Sequence, residues 1–153
     1  MAIEQASAQQ NDSPSESSIE TTQLERLFRL LIIVTTFSYL LFYFEPFLFG
    51  YMVSDVEAEL LDWVGYDALL EIPPSFNNLL FLLWIAAAIG LYNFSAAARA
   101  LYAILLGFGI VSLLVTGLQA STAFPSFLIS ICSTCDGAIL ALAYFSPLRA
   151  RFR

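Results

Sequence analysis

The sequence has no histidine and no lysine, two cysteines, and charge on only 12% of its 153 residues. Each shortage excludes something. Without histidine the usual haem ligand, the commonest zinc ligand and the base of a catalytic triad are gone. Without lysine there is no Schiff-base amine. No cofactor and no metal are therefore expected. Cys132 and Cys135 are too few for a disulfide framework. A soluble domain carries charge on about 25% of its residues, and here long stretches carry none, as a hydrocarbon solvent demands. The net charge of −7 and a pI near 4.3 argue against nucleic acid or anionic lipid headgroups as partners of the chain as a whole.

What is present is apolar. Hydrophobic residues make up 59% of the chain and the mean hydropathy is +0.76. Four apolar runs stand out, at about Leu27–Phe49, Phe76–Phe94, Ala97–Gly117 and Phe124–Phe145. At 1.5 Å per helical residue each can cross a hydrocarbon core of roughly 30 Å. The expected fold is an all-α integral membrane protein, a four-transmembrane-helix up-down bundle with a short amphipathic helix on its outer surface. The domain boundaries follow: a disordered cytoplasmic tail over 1–23, a transmembrane domain over 24–148 and a basic tail over 149–153. Residues 1–23 are polar and poor in aromatics, too little apolar surface to offset ordering entropy. They lack the basic start and small-residue cleavage site of a secretory signal, so the first span is expected to remain in the protein.

Orientation follows from the arginines. Arg26, Arg29, Arg99, Arg149, Arg151 and Arg153 all fall on one side of a four-span arrangement, and the opposite side has no basic residue. The positive-inside rule then makes both termini cytoplasmic, in a membrane read as the bacterial inner membrane. The long loop over 50–75 is acidic and faces outward. Within it Ser54-Asp-Val-Glu57 fits a capping box, and Val56, Leu60, Trp63 and Val64 follow at helical spacing. This segment is the expected surface helix, and Asp55, Glu59, Asp62 and Trp63 form its candidate partner-binding face. The aromatics from Tyr39 to Tyr51 suit an interfacial belt, and Pro46 is expected to bend the end of the first span.

Small residues mark two stripes, Ala96, Ala100, Ala103 and Gly107 on the third span and Ser130, Ser133, Gly137 and Ala141 on the fourth. Such stripes let backbones approach closely in lipid. Packing within the chain is the first reading, contact in a homo-oligomer the second.

Asp136 lies near the centre of the fourth span, where a carboxylate costs about 2.5 to 3.5 kcal/mol on insertion scales. It is expected to face the other helices and find donors there. Counting depth along each span places Ser38 and Tyr39 of the first and Trp84 of the second nearby. Asp136, Ser38 and Tyr39 are thus the candidate intramembrane polar site. Glu45 lies about one turn from the outer end of its span and can reach headgroup water.

Cys132-Ser-Thr-Cys135 has CxxC spacing, which brings both sulfurs to one side of a helix. With four spans and this pair in the last, the layout resembles that of the vitamin K epoxide reductase family. That resemblance implies passage of electrons between thiols and a quinone. The family carries a second cysteine pair in an outer loop, which this sequence lacks, and buried thiols in apolar surroundings read first as inert core. Three functions follow in order. The first is a non-enzymatic accessory or scaffold subunit of a membrane assembly, with the bilayer and other membrane proteins as partners. Next comes a small proton-coupled transporter or channel using Asp136. The last is a thiol–quinone oxidoreductase.

Overall fold

The structure is a computed structural model in which residues 16–49, 68–69, 73–117 and 121–153 are described. Helices account for nearly all of them, and no strand occurs among the described residues. The chain forms α1 (Glu16–Phe49), α2 (Pro74–Tyr92), α3 (Ala96–Ser112) and α4 (Ala123–Phe145), then a 3-10 turn at Pro147–Arg151. Three helices are long and apolar enough to cross a membrane: α1 over Glu20–Glu45, α2 over Ser75–Tyr92 and the whole of α4. Their outward faces carry large apolar side chains. Phe37, Leu82 and Phe127 are all about 60% exposed (61%, 63% and 59%). A protein in water hides such surface, whereas lipid is its natural solvent.

Two boundaries depart from the hydropathy pattern. α1 begins at Glu16, inside the segment read as a tail, because Glu20, Gln23, Leu24 and Glu25 are good helix formers and continue the turn outward from the apolar run. α3 ends at Ser112 rather than Gly117 and spans 17 residues, about 25 Å. Leu113 to Gly117 remain apolar but fold as turns, with Gly117 at φ 74°. At the other end of α1 the helix passes through Pro46 to Phe49. The surface helix expected from Ser54, with Asp55, Glu59, Asp62 and Trp63, lies outside the described residues.

α1 packs most extensively on α4, and α2 on α3, with a smaller contact between α1 and α2. The α2–α3 hairpin is tight. A Cβ on Gly90 would run into that of Ala98, so the two backbones can approach here only because residue 90 has no side chain. α2 ends in a Schellman motif. Ser95 N–H donates to Gly90 O and Phe94 N–H to Leu91 O, both at 2.9 Å, with Phe94 left-handed at φ 57°.

Most residues of the small-residue stripes do not make the contacts first expected of them, although Ala96 packs against the core and Ala103 is half-buried. Ser130, Ser133, Gly137 and Ala141 are exposed, as are Ala100 and Gly107, and a Cβ on Gly107 or Gly137 would meet open space. The buried face of α4 is instead Pro125, Leu128, Cys135, Ile139 and Ala143, and that of α3 is Ala98 and Tyr102. Residue size alone does not say which way a stripe points. The side of α4 that carries Asp136 is the one turned toward α1 and α3.

Candidate functional site

Asp136 sits on α4 between α1 and α3. Thr35 of α1 donates its hydroxyl to Asp136 Oδ1 at 3.1 Å. Tyr102 of α3 donates its phenol to the same oxygen. Thr35 is fully buried and Tyr102 is 1% exposed. One carboxyl therefore joins three helices. The grip on α1 is double, since the Cys132 thiol, one turn before Asp136, points to the Thr35 carbonyl at 3.9 Å. Residues 132 and 136 stand at i,i+4 on one side of α4, so both reach a single residue of α1.

Both hydroxyl hydrogen bonds to Asp136 come from residues other than the expected Ser38, Tyr39 and Trp84. Ser38 is buried, one turn along α1 from Thr35, and the α1 hydroxyl that reaches Asp136 is that of Thr35. Tyr39 stacks on Trp84 with ring centroids 4.2 Å apart, and Trp84 lies 6.1 Å from the Tyr102 ring. Further along, Tyr43 stacks on Phe81 at 3.9 Å and donates its phenol to Asn78 Oδ1. Tyr39 and Tyr43 thus belong to an aromatic ladder between α1 and α2, and the belt expected from them is partly turned inward. Thr35 and Tyr102 were the residues the depth count missed. Measured from the arginine end, Asp136 is nine residues from Phe145 and Thr35 is nine from Arg26, so a count from that end would have found Thr35.

Cys132 is half-buried, Cys135 is buried, and both are free thiols. Among the described residues no three His, Cys, Asp or Glu side chains gather as a metal ion would need. The chemistry at this level consists of one carboxyl, its two hydroxyl donors and the pair of thiols. Such a set can bind a proton or fix helices to one another, and it holds no activated nucleophile.

The second concentration of polar groups is the arginine end. Arg99 lies over the rings of Tyr144 and Phe152, at 4.8 and 5.0 Å, and donates to the Ala143 carbonyl at 3.3 Å. Phe28, Phe94 and Phe152 form a three-ring cluster with centroids 5.4 to 5.9 Å apart. The C-terminal residues, read from the sequence as a tail, close this end. Leu148 is fully buried, Phe152 is 9% exposed, and Arg153 exchanges backbone hydrogen bonds with the α2–α3 turn. In that exchange Arg153 N–H donates to Phe94 O at 3.1 Å and Ala96 N–H to Arg153 O at 2.8 Å. Arg151 pairs with Glu25 at 2.7 Å.

Among the described residues these features define a helical protein with three helices able to cross a membrane and a polar clamp that joins two of them, α1 and α4, to α3. No protein-family model matches it, and neither a curated protein nor a solved structure shows significant similarity to it.

Proposed function

We propose that this protein is a non-enzymatic scaffold or accessory subunit of a membrane assembly, a four-span helical bundle with both termini in the cytoplasm of a bacterium. The observation that carries the reading is the engagement of Asp136. The mid-helix acid is bonded to hydroxyls from two other helices, the arrangement of a structural clamp. The face of α4 with Ser130, Ser133, Gly137 and Ala141 is exposed, which supports the reading by leaving a small-residue surface for another membrane helix. The arginines at one end support the orientation. α3 is short for a span, and the apolar turns from Leu113 to Gly117 extend it toward the opposite surface.

The test is Asp136→Asn. The amide oxygen still accepts from Thr35 and Tyr102 but the side chain cannot exchange a carboxyl proton. The scaffold reading expects assembly and the cellular role to survive. A well-folded but inactive Asp136→Asn variant would favour the second reading, a proton-coupled transporter, for which the location of a carboxyl in mid-span is the supporting observation. Cysteines placed at 10, 121 and after 153 are expected to label from the cytoplasm, the periplasm and the cytoplasm. Periplasmic labelling of either terminus would overturn the orientation.

A further inference from the structure

An open groove of about 350 Å³ runs between α1 and α2 on the membrane-facing surface. Its α1 wall is Ile33, Thr36, Phe37 and Leu40, and Ile85 and Ile89 stand opposite on α2. At its arginine end the groove reaches Tyr92 and Asn93. Arg29 lies one turn beyond Ile33 on the same face of α1, with Arg26 a further turn out. The groove is therefore an apolar gutter beneath a cation.

The state of Arg29 gives the cation its meaning. Its guanidinium lies over the Tyr92 ring at 5.1 Å and near the Phe94 ring at 5.5 Å. Ring contact uses the flat face of the guanidinium and leaves N–H donors at its edge. Arg29 is exposed, and among the described residues the recorded ion pair belongs to Arg151, not to it. A phosphate, with two oxygens matched to the guanidinium fork, is the complementary group. From Arg29 to Leu40 is about 16 Å along the helix, close to half the hydrocarbon thickness of roughly 30 Å, which is the reach of one lipid chain. The walls carry Ile33, Phe37, Leu40, Ile85 and Ile89 beside the smaller Thr36 and Ala88, without the continuous small-residue stripe of a close helix contact.

We propose that this groove holds an acyl chain of an anionic phospholipid whose phosphate pairs with Arg29. The overall charge of −7 points away from such a partner, but it is a sum over the whole chain. The arginines are confined to one end, and a headgroup meets the local charge.

The proposal is tested by competition between phosphatidylglycerol and phosphatidylcholine of identical chains for the full-length protein in mild detergent, read by native mass spectrometry. Wild type is expected to retain phosphatidylglycerol about fivefold over phosphatidylcholine, the equivalent of about 1 kcal/mol per arginine near a headgroup. Arg29→Gln is expected to bring the two to parity and Arg29→Lys to restore part of the preference. Thr36→Phe, which fills the groove, is expected to lower retention of both lipids. Arg149→Gln, an exposed arginine at the same end, is expected to leave the preference unchanged. Melting temperatures of the variants establish that each is folded. Equal retention by wild type, a preference that survives Arg29→Gln, or equal losses in Arg149→Gln and Arg29→Gln would each overturn the proposal. So would a dimer abolished by Thr36→Phe, which would assign the groove to a second copy of the chain.

Discussion

The arginine end and the Asp136 layer hold the same helices together by different physics. At the arginine end the fastening is area: Leu148 and Phe28 are fully buried, three phenyl rings interlock, and guanidinium groups lie on aromatic faces. Around Asp136 it is a few hydrogen bonds in a region where lipid competes with apolar packing. Packing works best where water is near, because burial there removes apolar surface from water. In the hydrocarbon there is no such drive, and small polar contacts specify which helix faces which. The comparison predicts that the end governs stability and the middle governs rotation and register.

The largest effect is expected from the end. Leu148→Ala removes a fully buried side chain beneath the helices and should cost about 2 to 5 kcal/mol, read as the loss of unfolding free energy in mild detergent. Asp136→Leu should cost less, about 1 to 3 kcal/mol, because it leaves the Thr35 and Tyr102 hydroxyls without their acceptor. It should also loosen α4 relative to α1, seen as altered cross-linking between cysteines placed at 31 and 140, each one turn from the Thr35–Asp136 contact. If Asp136→Leu proved more costly than Leu148→Ala, the division of labour between end and middle would be wrong.

Phe94 sharpens the comparison further. It occupies the left-handed position of the Schellman motif, where glycine is the usual residue and a bulky side chain costs roughly 1 to 2 kcal/mol. The ring is kept there by Phe28, Phe152 and Arg29. Both Phe94→Ala and Phe94→Gly lose those contacts, but only glycine relieves the backbone. Glycine is therefore expected to be the milder replacement by about 1 kcal/mol, the reverse of the usual preference for alanine. Thermal melts of the two variants decide it, and a more stable alanine variant would mean that the turn carries no strain.

Much of this fold is legible from the sequence, and the rest is hidden for identifiable reasons. Pro73-Pro74, Asn93-Phe-Ser95 and Ser146-Pro147 mark ends of α2 and α4 to within two residues, because these residue types forbid or terminate the helix. Hydropathy failed at Leu113 to Gly117, since it reports the solvent a segment prefers and not its backbone conformation. Around Asp136 the depth count leads to Ser38, Tyr39 and Trp84, whereas the hydrogen bonds are made by Thr35 and Tyr102. Ser38 stands one turn from Thr35 on the same face of α1, so the miss there is one of depth, by about 4.5 Å, and not of azimuth. The C-terminal arginines read as a tail because their charge drew attention from Phe152 among them and Leu148 just before them.

The smallest effect is expected at the ion pair between Arg151 and Glu25, whose side chains are 60% and 20% exposed. It lies on the watery side of the packed end, where screening and side-chain entropy leave an exposed pair worth roughly 0 to 1 kcal/mol. A double-mutant cycle with Glu25→Gln and Arg151→Gln isolates that coupling from whatever each residue does alone. The coupling should lie below about 1 kcal/mol at low salt and fade as salt rises through about 0.15 M, where the screening length falls to about 8 Å. The pair would then serve to seat the start of α1 against the C-terminal turn, while Leu148 and Phe152 supply the stability of that contact. A coupling of about 2 kcal/mol or more that persists in about 1 M salt, where screening reaches 3 Å, would mean that charge and not packing fastens this end. The contrast between the two regions would then have to be redrawn, with electrostatics dominant in both.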